Sequence, residues 1–223
     1  VTERLRLAVL DDHQLFAETL TLALGQEGFQ TRRFAVPEQP GATEDLLREM
    51  NRFRPSIALV DLSLGRFGSG LRLVRPLVTA GTAVLVVTSA PRSQWGECLL
   101  HGASRVIAKT APLQEILDCV RDLGQGRTVI DPEEYAELVG EWQDGSREQA
   151  TLRARLAGLS SREQEVLAQL MEGHTARDIA HEWIVSEATV RTQIRAILTK
   201  LEVSSQLAAV VLANQAGWTL DQD

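Results

Sequence analysis

Apolar residues in the first 125 positions fall into two alternating kinds of segment. Leu5-Arg6-Leu7-Ala8-Val9-Leu10, Ile57-Ala58-Leu59-Val60 and Ala83-Val84-Leu85-Val86-Val87 are short, nearly continuous runs, as expected of strands covered on both faces. Between them, apolar residues recur at helical spacing: Leu15, Phe16, Leu20, Ala23 and Leu24; Leu46, Leu47, Met50 and Phe53; Leu71, Leu73, Val74 and Leu77. Gly25 to Gly28 closes the first of these helices, and the restriction on residues preceding Pro55 stops the second, over 43–53. A weaker strand is expected over Gln30 to Val36, ahead of a loop with Pro37, Pro40 and Gly41. A helix over 91–101, a turn at Gly102-Ala103, a short strand from Arg105 to Ala108 and a helix opened by Pro112 and ending near Leu123 complete the series. Five such alternations predict an α/β domain built on a five-stranded, doubly wound parallel sheet, with the β-branched 83–87 run near its centre.

The polar residues that interrupt this pattern stand at strand ends. Ligands of open parallel sheets collect just past the carboxyl ends of the strands. There the first strand presents Asp11 and Asp12, the third Asp61, the fourth Thr88 and the fifth Lys109. Three clustered carboxylates repel one another unless a cation lies among them. Mg2+ suits such a site, because it takes oxygen ligands and is commonly held by one or two carboxylates plus a phosphoryl oxygen. A lysine and a hydroxyl on the other side would bind the remaining oxygens of a phosphoryl group carried by Asp61 as an acyl phosphate.

Beyond the sheet, residues 126–157 read as a partly helical linker. Asp131-Pro132-Glu133-Glu134 starts a helix with an apolar side of Tyr135, Leu138, Val139 and Trp142, and Asp144-Gly145-Ser146 is expected to break it. The remainder reads as a solvated tether, with the Trp142 side as a possible docking face. Residues 158–217 then show an all-α domain, leaving 218–223 as a tail. Ser160 and Glu163 form a capping box before Val166, Leu167 and Leu170; Thr175 caps a second helix, Trp183-Ile184-Val185 makes a turn, and Ser186 caps a third. This is helix-turn-helix spacing. The third helix places Val190, Ile194, Ile197, Leu198 and Leu201 on one side and Ala188, Arg191, Thr192, Arg195 and Thr199 on the other, with Gln193 on the flank. Such a polar face suits a major groove, where Arg reads guanine and Thr or Gln bonds bases or phosphates; Lys200 would meet a phosphate.

Charge sharpens this picture without deciding it. The net charge is -7, and residues 158–223 hold 5 basic against 9 acidic side chains, so DNA binding has to rest on local placement and its non-specific component should be weak. No apolar run approaches a membrane span, and the amino end lacks the apolar core of an export signal. The only two cysteines, Cys98 and Cys119, fall on expected helices and fit two reduced thiols in a cytoplasmic protein.

Asp11-Asp12, Asp61, Thr88-Ser89-Ala90 and Lys109 before Pro112 resemble the receiver domain of two-component response regulators. The resemblance implies that Asp11 and Asp12 hold the metal, that Asp61 is the phosphoacceptor, that Thr88 is the switch hydroxyl and Lys109 the phosphate's cation, and that the Ser63 carbonyl is a metal ligand. Leu159-Ser160-Ser161-Arg162-Glu163-Gln164-Glu165-Val166-Leu167, Gly173, Ile179-Ala180, Val185 to Thr192 and Lys200-Leu201-Glu202-Val203 resemble the LuxR/FixJ-type (NarL-like) DNA-binding domain. That likeness implies a recognition helix over 187–201 and a last helix, about 204–215 with Leu207, Val211 and Leu212, that joins a dimer.

The chain departs from both patterns. Gly65 stands where the receivers usually have proline, Val106 where they carry a switching Tyr or Phe, and Trp183, Gln193 and Glu202 replace the usual leucine, histidine and glycine. Valine cannot act as an aromatic gate, so coupling would run through Thr88 and its loop, or through dimerisation. The expectation is therefore a transcription regulator phosphorylated on Asp61 by a histidine kinase with Mg2+, binding double-stranded DNA as a homodimer. The rivals are an orphan regulator that binds DNA without phosphorylation, an enzyme that hydrolyses phosphate esters through Asp61, and an interaction module that leaves DNA alone.

Overall fold

A computed structural model describes residues 5–37 and 42–220. The expected loop residues Pro40 and Gly41 and the end of the tail lie outside the described residues. The chain divides into two compact units, Val1–Gln143 and Asp144–Asp223.

In the first unit, strands β1 (Arg6–Leu10), β2 (Gln30–Arg33), β3 (Ile57–Val60), β4 (Ala83–Thr88) and β5 (Arg105–Ala108) form one sheet in the order β2-β1-β3-β4-β5. Every pairing is parallel. Helices α1 (Gln14–Gln26), α2 (Thr43–Phe53), α3 (Leu71–Thr79), α4 (Trp95–Leu100) and α5 (Leu113–Gly124) make the crossovers. Strand β2 ends three residues short of the expected Val36, although Phe34 is buried. Most of the expected helix before α4 is a 3-10 turn over Arg92–Gln94.

The period of two in each strand divides its side chains between two cores. Leu7, Val9, Ile57, Leu59, Leu85, Val87 and Ile107 meet Ala17, Leu20 and Leu24 of α1 and Ile116 and Val120 of α5. Ala8, Leu10, Ala58, Val60, Val84, Val86 and Val106 meet Leu46 and Met50 of α2, Leu73, Val74 and Leu77 of α3, and Cys98 and Leu99 of α4. Cys98 and Cys119 are both buried free thiols; burial pushes them up to about 12 and about 11, respectively, which makes them poor nucleophiles at neutral pH.

The linker corrects the sequence expectation. Residues Pro132–Ala157 form one uninterrupted helix, α6, which passes through Asp144-Gly145-Ser146 without a break. A glycine inside a helix costs only about 1 kcal/mol relative to alanine. That penalty is local, whereas Leu138 on one side of the glycine and Leu156 on the other are both buried in a core. The apolar side expected for the first half of α6 is a docking face. Leu138 packs into the core beside α4, and Arg92 pairs with Glu137 at 3.2 Å and with Glu141 at 3.8 Å.

The second unit contains α7 (Ser161–Met171), α8 (Ala176–Glu182), α9 (Glu187–Leu201) and α10 (Gln206–Gln215). Its core is built from Val166, Leu167, Ile179, Val190, Ile194, Ile197, Leu201, Ala209 and Ala213, joined by Leu156 of α6. The caps expected at Ser160, Thr175 and Ser186 are all present. Among the described residues no single helix is long and apolar enough to cross a membrane.

Candidate functional site

Strand register assembles the acidic site. Leu10 pairs with Val60, so the next residues, Asp11 and Asp61, emerge side by side between β1 and β3. This is the point where the strand order reverses, one crossover running to β2 and the next to β3, and a crevice opens at such a switch point. Thr88 pairs with Ala108, which puts Lys109 one step beyond β5. The Lys109 amide donates to the Thr88 carbonyl at 2.8 Å.

At the centre, Lys109 Nζ lies 2.7 Å from both Asp11 Oδ2 and Asp61 Oδ2. Burial opposes the charge on Lys109, but the hydrogen bonds to Asp11 and Asp61 outweigh it and hold its pKa above the ordinary lysine value. The ammonium also lies 5.1 Å from the centre of the Phe16 ring. Asp11 and Asp61 are buried; Asp12 is exposed. Asp61 Oδ1 is buried and has no hydrogen-bond partner, although a carboxylate oxygen seldom stays bare in an interior.

Asp11, Asp12, His13 and Asp61 each offer a ligand atom, all within 4.8 Å of one another. Three carboxylates with one bare oxygen fit a hard divalent cation of the Mg2+ type. His13 was not foreseen as a neighbour of this group. Its Nδ1 lies 2.9 Å from Asp12 Oδ1 and 3.2 Å from Lys109 Nζ, and its backbone N–H donates to Asp11 Oδ1 at 2.8 Å. Its position directly after the acidic pair was the only signal available.

Ser63 is exposed in the loop after β3, where it bridges Ser69. Two glycines shape that loop. Gly65 has φ +54, which proline cannot adopt, so the departure at this position changes the backbone itself. A Cβ there would lie 3.1 Å from Asp12 Oδ2, bringing the turn close over the acidic pair. Gly70, which the sequence did not single out, has no room for a side chain: its Cβ would fall 1.9 Å from the Asp61 carbonyl oxygen. Thr88 is fully buried, and its hydroxyl accepts from the Ala90 N–H at 3.1 Å. Val106 is buried beside Val86.

In the second unit the polar face of α9 is as the helical wheel predicts: Ala188, Arg191, Thr192, Arg195 and Thr199 are exposed and Gln193 is half-buried. Their charges are less free than the sequence suggests. Arg191 is held by Glu187 through Nε at 2.9 Å and through the Nη2 group at 2.6 Å. Lys200 reaches Glu163 at 2.6 Å and the Gly158 carbonyl at 3.2 Å, so its ammonium is engaged within the domain. The hydroxyls of Thr192 and Thr199 bond to the carbonyls of Ala188 and Arg195. Arg195 has no ion-pair partner among the described residues.

The departures in this domain also have physical roles. Trp183 carries the Arg162 guanidinium 3.6 Å above its ring. Glu202 is the left-handed C-cap of α9, at φ 57, the conformation that makes glycine common there, and it pairs with Arg155 at 2.5 Å.

Glu163 is buried and carries a testable pH dependence. Burial opposes its charge, but bonds from Lys200 and Ser160 hold its carboxyl below the ordinary value of 4.5. A depressed folded pKa contributes stability that is complete above the unfolded value and is lost as the pH falls through the folded one. Thermal melts should therefore show this contribution disappearing below about pH 4.5, with a smaller acid loss in Glu163→Gln. Equal acid limbs in the two proteins would remove Glu163 as a source.

Comparison with known families places both halves. Residues 7–121 match the family model for the response regulator receiver domain, and residues 157–213 match that for bacterial regulatory proteins of the luxR family. The chain is a response regulator of the luxR family. This response regulator is 27% identical over 229 residues to the transcriptional regulatory protein DegU of Brevibacillus brevis, covering 96% of this chain and 95% of that protein. It is 29% identical over 214 residues to the probable transcriptional regulatory protein NarL of Mycobacterium tuberculosis, covering 95% and 94%. A solved LuxR-family two-component response regulator from an Aurantimonas species matches with a TM-score of 0.51 at 20% identity, over 63% of this chain and 99% of that one. That likeness supports the fold alone.

Proposed function

We propose that this response regulator takes a phosphoryl group onto Asp61 from a sensor histidine kinase in the cytoplasm, and that a homodimer delivers the output by setting α9 in the major groove of double-stranded DNA. The observation that carries the first half is the bare, buried Asp61 Oδ1 beside two further carboxylates, with Asp61 Oδ2 on Lys109. Asp11, Asp12 and Asp61, with the Ser63 carbonyl, would hold Mg2+, which when bound offsets the charge of the phosphoryl oxygens. In the transfer, an Asp61 oxygen forms a bond to phosphorus as the bond to the kinase imidazole nitrogen breaks, and the electron pair leaves on that nitrogen. Lys109, already charged and in contact, binds a phosphoryl oxygen without having to move into the site.

For the second half, of the two arginines on the polar face of α9 Arg195 has no ion-pair partner among the described residues, and Lys200 is engaged inside the domain. In gel shifts against genomic fragments, Arg195→Ala is expected to weaken binding about tenfold or more, by loss of a base or phosphate contact. Lys200→Ala should weaken it only about twofold, by loosening the α7 cap. Equal binding by the wild type and an Arg191→Ala/Arg195→Ala double variant would remove α9 as the reading helix.

Leu207 and Val211 lie one helical turn apart on α10 and are both exposed, an apolar pair suited to a twofold contact. Leu207→Glu/Val211→Glu should abolish dimers in sedimentation while leaving the helical circular dichroism intact; dimers that persist would move the interface elsewhere.

The orphan reading retains two supports, the buried Val106 in place of a gating aromatic and Gly65, at φ +54, in place of the proline. Gel shifts with Asp61→Asn and with a phosphodonor separate the two readings, since an orphan binds DNA equally in all cases.

A further inference from the structure

We infer that this chain replaces the missing aromatic gate with a latch in which Trp95 pins the phosphate-sensing loop and Gly96 docks α6. The inference rests on the proposed phosphorylation of Asp61 and names the route by which it would be felt.

Ala90 sits between two side chains. Its N–H donates to the Thr88 hydroxyl at 3.1 Å, and its carbonyl accepts from the Trp95 indole N–H at 3.1 Å. Trp95 is the first residue of α4, and it packs against the same core as Leu138 and Val139 of α6. The next residue removes all clearance between the two helices. A Cβ on Gly96 would lie 2.2 Å from the Leu138 carbonyl oxygen and 2.7 Å from Trp142 Cβ. Only glycine lets α6 lie this close, and Arg92 ties down the same stretch through Glu137 and Glu141. An unbroken run of contacts thus joins the hydroxyl beside the acceptor to the first half of a helix that continues to Ala157.

Without a phosphoryl group, Thr88 is engaged with the loop and not with the acceptor. Thr88 is turned to Ala90, and Asp61 Oδ1 receives no bond from it. The hydroxyl accepts from the Ala90 N–H and keeps its own hydrogen to donate, so as it moves toward a phosphoryl group on Asp61 it draws the Ala90 N–H, and the loop, with it. That movement displaces the Ala90 carbonyl from the Trp95 indole. The loop has room to move: a cavity of about 330 Å3 borders Ala90, Gln94, Cys98, Leu62 and Ser63. With the pin released, α4 shifts under a helix that has no clearance, and the α6 contact opens. Trp95 is thus a positioning residue that acts through Ala90. Val106, packed away beside Val86, is left out of the route.

The test is backbone amide hydrogen exchange over residues 132–142 of the full chain, with acetyl phosphate and Mg2+ and without them. A phosphate-affinity gel on the same samples reports Asp61 occupancy. In the wild type, the phosphodonor should raise exchange in this segment about fivefold or more, while the sheet stays protected. Trp95→Phe keeps the ring and removes the donor, so it should exchange at the raised level without phosphodonor, gain little more with it, and still take the phosphoryl group. Gly96→Ala pushes α6 away without touching the Ala90 bond and should show the same raised exchange. The latch is overturned if the phosphorylated wild type keeps its resting exchange, or if unphosphorylated Trp95→Phe matches the wild type and responds as it does. A wild type that takes no phosphoryl group overturns the phosphoacceptor reading and the trigger, and the two variants without phosphodonor still decide whether the pin holds α6.

Discussion

Asp61→Asn incorporates no phosphoryl group from acetyl phosphate with Mg2+, whereas the wild type gains the mass of one. The loss should be complete because the amide cannot form the acyl phosphate and no neighbouring acid substitutes for it. Asp11 is buried with Oδ2 on Lys109 and Oδ1 accepting from the His13 amide, and it lacks the bare oxygen that Asp61 has. Asp12 faces solvent and lacks the lysine contact. The substitution should leave the fold intact, because Lys109 retains Asp11 and three crowded carboxylates become two. Intact-protein mass spectrometry reads the outcome, and the same gain of mass in the Asn variant would assign the acceptor elsewhere.

Gly70→Ala is expected to be the most damaging single-methyl change in the receiver. Gly70 caps α3 at φ -64 and ψ -15, a conformation open to any residue, so the cost is one of space and not of backbone freedom. The added Cβ would lie 1.9 Å from the Asp61 carbonyl oxygen and 3.1 Å from Val60 Cγ1. Neither obstacle is the end of a flexible chain: one is backbone, the other a buried branched side chain. The Gly70 N–H also donates to the Leu62 carbonyl at 2.8 Å, so backing away breaks a bond next to the acceptor. Overpacking of this kind costs about 3 kcal/mol or more. For a chain of this size that lowers Tm by roughly 6–12 °C. Phosphorylation should slow as well, since the displaced backbone is that of Asp61 itself. A variant that melts within a degree of the wild type would show that the α3 end yields freely.

How far the sequence could lead differs between elements. The strands and their acidic ends were legible because a strand buried on both faces must be apolar throughout, so each polar residue marks an end. The helix caps were legible because both partners lie within four residues. The α9 face was legible for the same local reason, but its charges were not. That Lys200 turns to Glu163, 37 residues earlier, is a matter of packing and not of pattern. Gly145 misled because local propensity favours a break by about 1 kcal/mol, a penalty that tertiary burial at Leu138 and Leu156 overrides. Gly70 and Gly96 went unremarked since glycine in a sequence does not reveal whether it supplies a turn or makes room for a distant backbone.

What the sequence determined by itself is the order of elements, the presence of a receiver and a helix-turn-helix domain, and which acids, lysine and hydroxyl stand at the strand ends. These follow from periodicity and from which residue types tolerate burial, and both are written locally. Only the tertiary structure decided that Lys109 touches two carboxylates at once, that one Asp61 oxygen is left bare, that the Trp95 indole bonds the Ala90 carbonyl, and that Gly96 lies hard against α6. Those facts depend on strand register and helix approach, distances of a few ångströms between residues far apart in the chain that no run of side chains specifies.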